Sequence, residues 1–336
     1  MYSYNTTEFA PLTNFDFRSR TNSHDPNILQ CLMHQSNRPA YPKSLVLKQL
    51  TLLLTAGMIA LASSASVFHG TAALADTRHA VGFGERPSGS TANLKLRDWV
   101  VSELKPTGAQ VSLDPFSGKT PEGPVSMANV IAKFPGTSGK AVAITGHFDT
   151  KKIAGVHFVG ANDAGSSTGF LLEFARALEK VKHRDDILLV FFDGEEAVGE
   201  WTDTDSRYGS RHLAAKWLAD GTLGHLKALI NVDMIGDKDL DILDDGNSSS
   251  MLRDMTRKAA AKLGYGKYFR VDPGAIDDDH RPFADVGVNV LDLIDFDYGP
   301  RQAYWHTAQD TMDKLSAQSL QVVGDVVLEL VKDLEN

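Results

Sequence analysis

Residues 187–196 read ILLVFFDGEE. The uncharged, β-branched and aromatic run Ile187 to Phe192 is the pattern of a strand buried on both faces, as in a parallel sheet. Asp193-Gly194 breaks the run, and the adjacent carboxylates Glu195 and Glu196 follow where the chain leaves the sheet. In open α/β sheets, ligands sit beyond the carboxyl ends of the strands. Two like charges there repel unless a cation or a shared proton separates their roles. A metal ligand beside a general base satisfies that condition, whereas a solvated loop does not require it.

Outward from this stretch, strands alternate with helices. Val130 to Phe134, Ala141 to Thr145, Ala228 to Ile235 and Gly287 to Ile294 read as further strands. Helices are expected through Leu94 to Leu104, Ser167 to Val181 (with hydroxyl residues as caps), His212 to Leu218, Met251 to Leu263 and Ser316 to Leu334. The fold class is therefore α/β: a three-layer sandwich with a central, mostly parallel twisted sheet flanked by helices. GERPSGS at 84–90 lacks phosphate-loop spacing and reads as a structural turn.

The start of the chain has a different character. Lys43 and Lys48 precede the uncharged stretch Gln49 to Phe68, and Ala73-Leu74-Ala75 offers a small-x-small cleavage site. This is the order of a secretory signal. Residues 1–75 are thus expected to be an N-terminal extension and signal peptide outside the fold, with Met33 an alternative start, and 76–336 a single catalytic domain. Export to the periplasm or the exterior follows, with no stable membrane association after cleavage. The sole cysteine, Cys31, lies in the excluded part, which removes thiol chemistry, thiolate metal sites and internal disulfides from the mature protein. A net charge of −9 argues against nucleic acid as a partner.

Other acids and imidazoles fall where strands end. His147 and Asp149 (GHFDT) follow one strand, Asp163 (GANDAGSS) opens a helix, and Asp233 (NVDMIG) ends another strand. Asp277, Asp278, Asp279 and His280 (IDDDHRPF) precede the last strand, and His306 (YWHT) follows it. Carboxylate oxygen with imidazole nitrogen and no sulfur is the donor set of a catalytic zinc site with an open position.

In this order, GHFDT, GANDAGSS, FFDGEEA, NVDMIG and WHT resemble the zinc aminopeptidase superfamily across nearly all of the expected mature protein. The run DGEEAVGEWTDTDSRYGSRHLAAKW, the segment DDDHRPF and the tryptophan before His306 resemble its glutaminyl-peptide cyclotransferase branch. That resemblance implies Asp163, Glu196 and His306 as ligands of one Zn2+, and Glu195 as general acid/base. It implies Asp278 and Asp233 as acids supporting the proton network, and Trp201 and Trp305 as walls of the substrate pocket. The implied substrates are N-terminal glutamines of peptides or proteins, converted to pyroglutamate with release of ammonia. His147 and Asp233, with a bridging Asp163, are also the pieces of the second metal site of two-zinc aminopeptidases, so an exported aminopeptidase is the competing expectation. One departure is Asp292, where animal cyclotransferases usually carry histidine.

Overall fold

In the computed structural model, residues 67–336 are described, apart from Lys180. Six strands form one mixed sheet: β1 (Gln110–Thr120), β2 (Gly123–Phe134), β3 (Ala141–His147), β4 (Asp186–Phe192), β5 (Leu226–Asp233) and β8 (Val290–Ile294). Their order across the sheet is β1-β2-β4-β3-β5-β8. The four strands from β4 to β8 run parallel, and the β1–β2 hairpin joins β4 antiparallel. Two short strands, β6 (Ile242–Asp245) and β7 (Phe269–Gly274), pair separately.

The period-2 alternation of the central strands divides the core. Val142, Ile144, Ile187, Leu189 and Phe191 face one way, onto a layer that includes α1 (Gly70–Val81), α2 (Thr91–Leu104), α3 (Gly165–Leu178), α5 (Ser250–Leu263) and α7 (Ala317–Glu335). Ala143, Leu188, Val190 and Phe192 face Leu213 and Trp217 of α4 (Tyr208–Asp220) and Phe283 of α6 (Arg281–Ala284). The expected three-layer α/β sandwich is the observed architecture.

Three expectations need correcting. Helix α1 packs into the fold, so residues 68–75, which the boundary at 76 leaves out, are part of the packed domain. Phe68, Ala73 and Ala80 are fully buried, and the backbone N–H of Gly70 donates to Gln321 Oε1 at 2.8 Å. The helices touch through missing side chains: a Cβ on Gly169 of α3 would meet the Ala73 carbonyl at 2.4 Å, and one on Gly324 of α7 would meet the Phe68 ring at 2.3 Å. The suggested cleavage after Ala75 would cut through this helix; the apolar stretch before Ser66, with Cys31 and Met33, lies outside the described residues.

The hydroxyls opening α3 are not caps. Ser166, Ser167 and Thr168 donate to the carbonyls of Asn162 and Ala164 rather than accepting helix N–H groups, and the residue before the helix, Ala164, has φ 95°. The hairpin strand β1 was not expected at all.

Chain order explains where a site must form. From β3 the backbone passes through α3 to β4 on one side, then through α4 back across to β5 on the other side of β3. The connections diverge at the carboxyl end of β3, the topological switch point where open α/β sheets leave a crevice.

Candidate metal centre and active site

His147 ends β3, Glu195 and Glu196 follow β4, and Asp233 ends β5, so the crevice collects them. Asp163 enters from the loop before α3. Asp278 comes from the loop before α6, and His306 from the loop after β8. Asp163, Glu195, Glu196, Asp233, Asp278, Trp201, Trp305 and His306 all line one cavity of about 450 Å³. His147, 1% exposed, lies behind the wall, as do Asp149, Asp279, His280 and Asp292, which the sequence also singled out.

Asp163 is the centre of the arrangement. Its Oδ2 lies 3.1 Å from His306 Nε2, which is also 3.1 Å from Glu196 Oε1. Its Oδ1 lies 3.3 Å from His147 Nε2, which is 3.2 Å from Asp233 Oδ1. Two donor triads, Asp163/Glu196/His306 and His147/Asp163/Asp233, thus share one carboxylate. Ligands about 2.1 Å from a tetrahedral zinc are roughly 3.4 Å apart, close to these spacings. Glu196 Oε2 is buried without a hydrogen-bond partner and lies 3.7 Å from the Lys151 ammonium. The donor chemistry and geometry fit zinc.

The loops carrying these groups hold uncommon backbone. His306 has φ 53°, and Ala164 and Met234, next to Asp163 and Asp233, have φ 95° and 50°. Such residues cost about 1–3 kcal/mol each and persist where surrounding contacts enforce them. Asp149 supplies such contacts at the Glu-Glu turn: its Oδ1 accepts the N–H groups of Gly194 and Glu195, and its Oδ2 that of Glu196. Asp310 does the same for the bridging ligand, accepting from the N–H groups of Asn162 and Asp163 and from the Tyr298 hydroxyl. Asp205 accepts from the N–H groups of Val198 and Gly199 and from the Tyr208 hydroxyl, which shapes the loop after Glu196.

Electrostatics separate the two glutamates. Burial, reinforced by Glu196, Asp278 and Asp279, pushes the Glu195 carboxyl well above its ordinary range, against the opposing pull of His147. Burial also raises Glu196, but His306 and Lys151 favour its charged form. Asp278 is raised by burial and by Asp292, Asp233 and Asp279. Burial opposes ionisation of Asp163, yet hydrogen bonds from His147 and His306 outweigh it and hold that carboxyl below the usual range. Asp163 is thus held in its charged form, while both glutamates are pushed towards protonation, Glu195 further than Glu196.

The aromatic walls are fixed differently. Trp305 stacks on His306 with ring centroids 4.1 Å apart and meets Phe296 edge-on. Trp201 is 39% exposed, donates its indole N–H to Asp277 Oδ2 at 3.1 Å and lies beneath the Arg207 guanidinium. Arg207 also pairs with Asp277.

Reading the sequence alone missed Asp310 and Asn231. Asn231 donates its amide to both Asp278 Oδ2 and Asp292 Oδ1. These contacts join positions 47 to 148 residues apart, so no local pattern marks them.

The switch-point crevice and two candidate metal-binding groups that share one carboxylate are the kind of site that metal-dependent α/β exopeptidases carry. Residues 129–331 match the model of peptidase family M28. The chain is 30% identical over 251 residues to the glutaminyl-peptide cyclotransferase of Drosophila melanogaster, covering 67% of this chain and 70% of that one. It superposes on the crystal structure of an Acidobacteriales bacterium glutaminyl cyclase with a TM-score of 0.77 and 42% identity, over 80% of this chain and 95% of the other. It also superposes on a Zn-dependent exopeptidase from Parabacteroides distasonis, with a TM-score of 0.71 and 28% identity, over 79% and 98% of the two chains. The chain belongs to peptidase family M28, in its glutaminyl-peptide cyclotransferase branch.

Proposed function

We propose that this protein is a zinc-dependent glutaminyl-peptide cyclotransferase, closing the N-terminal glutamine of peptides or proteins to pyroglutamate with release of ammonia. The observation that carries the reading is the division of labour within the Glu-Glu pair. Glu196 is turned into the donor triad with Asp163 and His306, while Glu195 stays outside it, buried and biased towards its protonated form.

Asp163, Glu196 and His306 would hold the ion. Bound zinc would supply Lewis acidity at the carboxamide carbonyl of the substrate glutamine. The α-amine nitrogen attacks that carbonyl carbon, a C–N bond forms within the residue, and the bond from the same carbon to the amide nitrogen breaks. Glu195 takes the proton lost by the amine and delivers it to the departing nitrogen, which leaves as ammonia. Asp278, with Glu196 and Asp279, keeps its affinity for that proton high. Trp201, Trp305, Ile276, Ile294 and Phe296 make the walls narrow and apolar. They favour the folded-back glutamine conformer in which amine and carbonyl meet.

One ion per polypeptide is the reading we adopt. His147 places Nε2 between Asp163 and Asp233, and Nδ1 3.6 Å from Asp149 and 3.8 Å from Glu195. Burial disfavours charge on this ring, but the surrounding carboxylates prevail and raise it well above 6.5. His147 lies behind the cavity wall while His306 opens on the cavity, which favours a single ion in the outer triad. The alternative, a two-zinc aminopeptidase, rests on the inner triad. Export is proposed as well, with any leader cut falling before Phe68. Among the described residues, no helix is long and apolar enough to cross a membrane.

The test is to incubate the zinc-loaded protein with a Gln-initiated peptide and weigh the product. Loss of ammonia from an otherwise intact peptide is expected. Release of the free first residue, with no cyclised product, would overturn the assignment.

A further inference from the structure

The turn GERPSGS, read from sequence as purely structural, contains the largest fully buried side chain of the described residues, Arg86. A buried guanidinium is expected to sit against a carboxylate. Among the described residues, none lies within ion-pair distance of it. Its donors go instead to four backbone carbonyls: Nε to Phe148 at 3.4 Å, Nη1 to Gly84 at 2.8 Å and Val159 at 2.6 Å, and Nη2 to Gly160 at 3.0 Å. Its own backbone is tied in too, the N–H donating to Thr150 Oγ1 at 2.8 Å and the carbonyl accepting from the Thr150 N–H at 3.2 Å.

Apart from Gly84, which is in the turn itself, those acceptors belong to the two loops that carry the shared donors. Phe148 and Thr150 flank Asp149 and follow His147, and Val159 and Gly160 lead into Asp163. From the opposite side, Asp310 holds the Asn162 and Asp163 N–H groups. The loop before Asp163 is thus gripped by a cation at its carbonyls and an anion at its amides. Burial lowers the guanidinium to about 10, with Asp310, Asp149 and Asp163 opposing that fall, so it stays charged at neutral pH.

We propose that Arg86 is a positioning residue of the metal centre: its guanidinium sets the spacing between the His147–Thr150 loop and the Asp163 loop, and so the geometry in which Asp163 meets an ion. The inference rests on the zinc reading given above. A planar fork with five donors is required, because a lysine ammonium has three and cannot span both loops.

The experiment is zinc release from the purified, zinc-loaded full-length protein into a chromogenic chelator, alongside the thermal unfolding midpoint. Removing a residue that orients ligands typically costs about 10- to 100-fold in metal affinity. Arg86→Met should release zinc at least about tenfold faster than wild type, and Arg86→Lys should fall between them. Leu104→Ala, a buried truncation in α2, should lower the midpoint yet release zinc at the wild-type rate. If Arg86→Met does not fold, Arg86→Lys decides the matter. Wild-type release from folded Arg86→Lys, or equal acceleration in Leu104→Ala, would overturn the proposal. A wild-type protein that holds no zinc would overturn the site reading along with it, so the two failures are distinguishable.

Discussion

The two donor triads around Asp163 use the same kinds of atom at nearly the same spacings, yet they face different surroundings. The outer one, with Glu196 and His306, opens on the cavity, and the His306 side chain is 19% exposed. The inner one lies deeper: His147 is 1% exposed and ringed by Asp149, Asp163, Glu195 and Asp233, and of the triad only Asp163 and Asp233 reach the cavity wall. The outer set offers a substrate the more open approach, through His306, whereas the imidazole of the inner set lies behind the wall. Access, more than donor identity, separates a catalytic position from a supporting one.

The comparison breaks most sharply at Glu195. Glu195→Gln should lower kcat by about a thousandfold or more while zinc content stays at the wild-type level; retained turnover would remove Glu195 from the proton path. Next in size, His306→Ala should weaken zinc binding by at least about a hundredfold in a competition titration, and His147→Ala by far less. Equal losses would make the triads equivalent.

Asp149→Asn tests the turn between them. It replaces a charged acceptor that holds three N–H groups, and should cost about tenfold in kcat/KM with zinc retained. At the cavity mouth, Trp201→Ala should raise KM severalfold with kcat within about threefold, since the indole is tied to Asp277 and not to the donors.

The smallest expected effect is thermal. Asp193, Asp279, Asp295 and Asp310 are each pushed up to about 7, chiefly by burial. A carboxyl raised on folding contributes stability below its unfolded value near 4, and that contribution is lost as pH rises through the folded value. The zinc-free protein should therefore melt several degrees higher near pH 5 than near pH 8. A midpoint that rises with pH over that range would contradict these environments.

What the sequence discloses by itself follows from the same contrast. The central strands are legible because burial on both faces leaves uncharged runs such as Ile187 to Phe192. The edge strand β1 is mostly exposed, and its sequence, QVSLDPFSGKT, contains Pro115 and Gly118, so nothing in it reads as a strand. Helix α1 is hidden by its small residues: Ala73, buried where the helix packs, is also part of the cleavage-site pattern. In the site, ligand-type residues at strand ends stand out because charge is unexpected there. Arg86, Asp310 and Asn231 do not, because they act on distant backbone or on each other's neighbours, and such contacts exist only once the fold is formed.

Zinc content of the purified protein, measured per polypeptide alongside His306→Ala and His147→Ala, tests the unequal triads most directly. The account predicts near one zinc in wild type, near none in His306→Ala, and near one again in His147→Ala. Near two in wild type, falling to one in either variant, would contradict it.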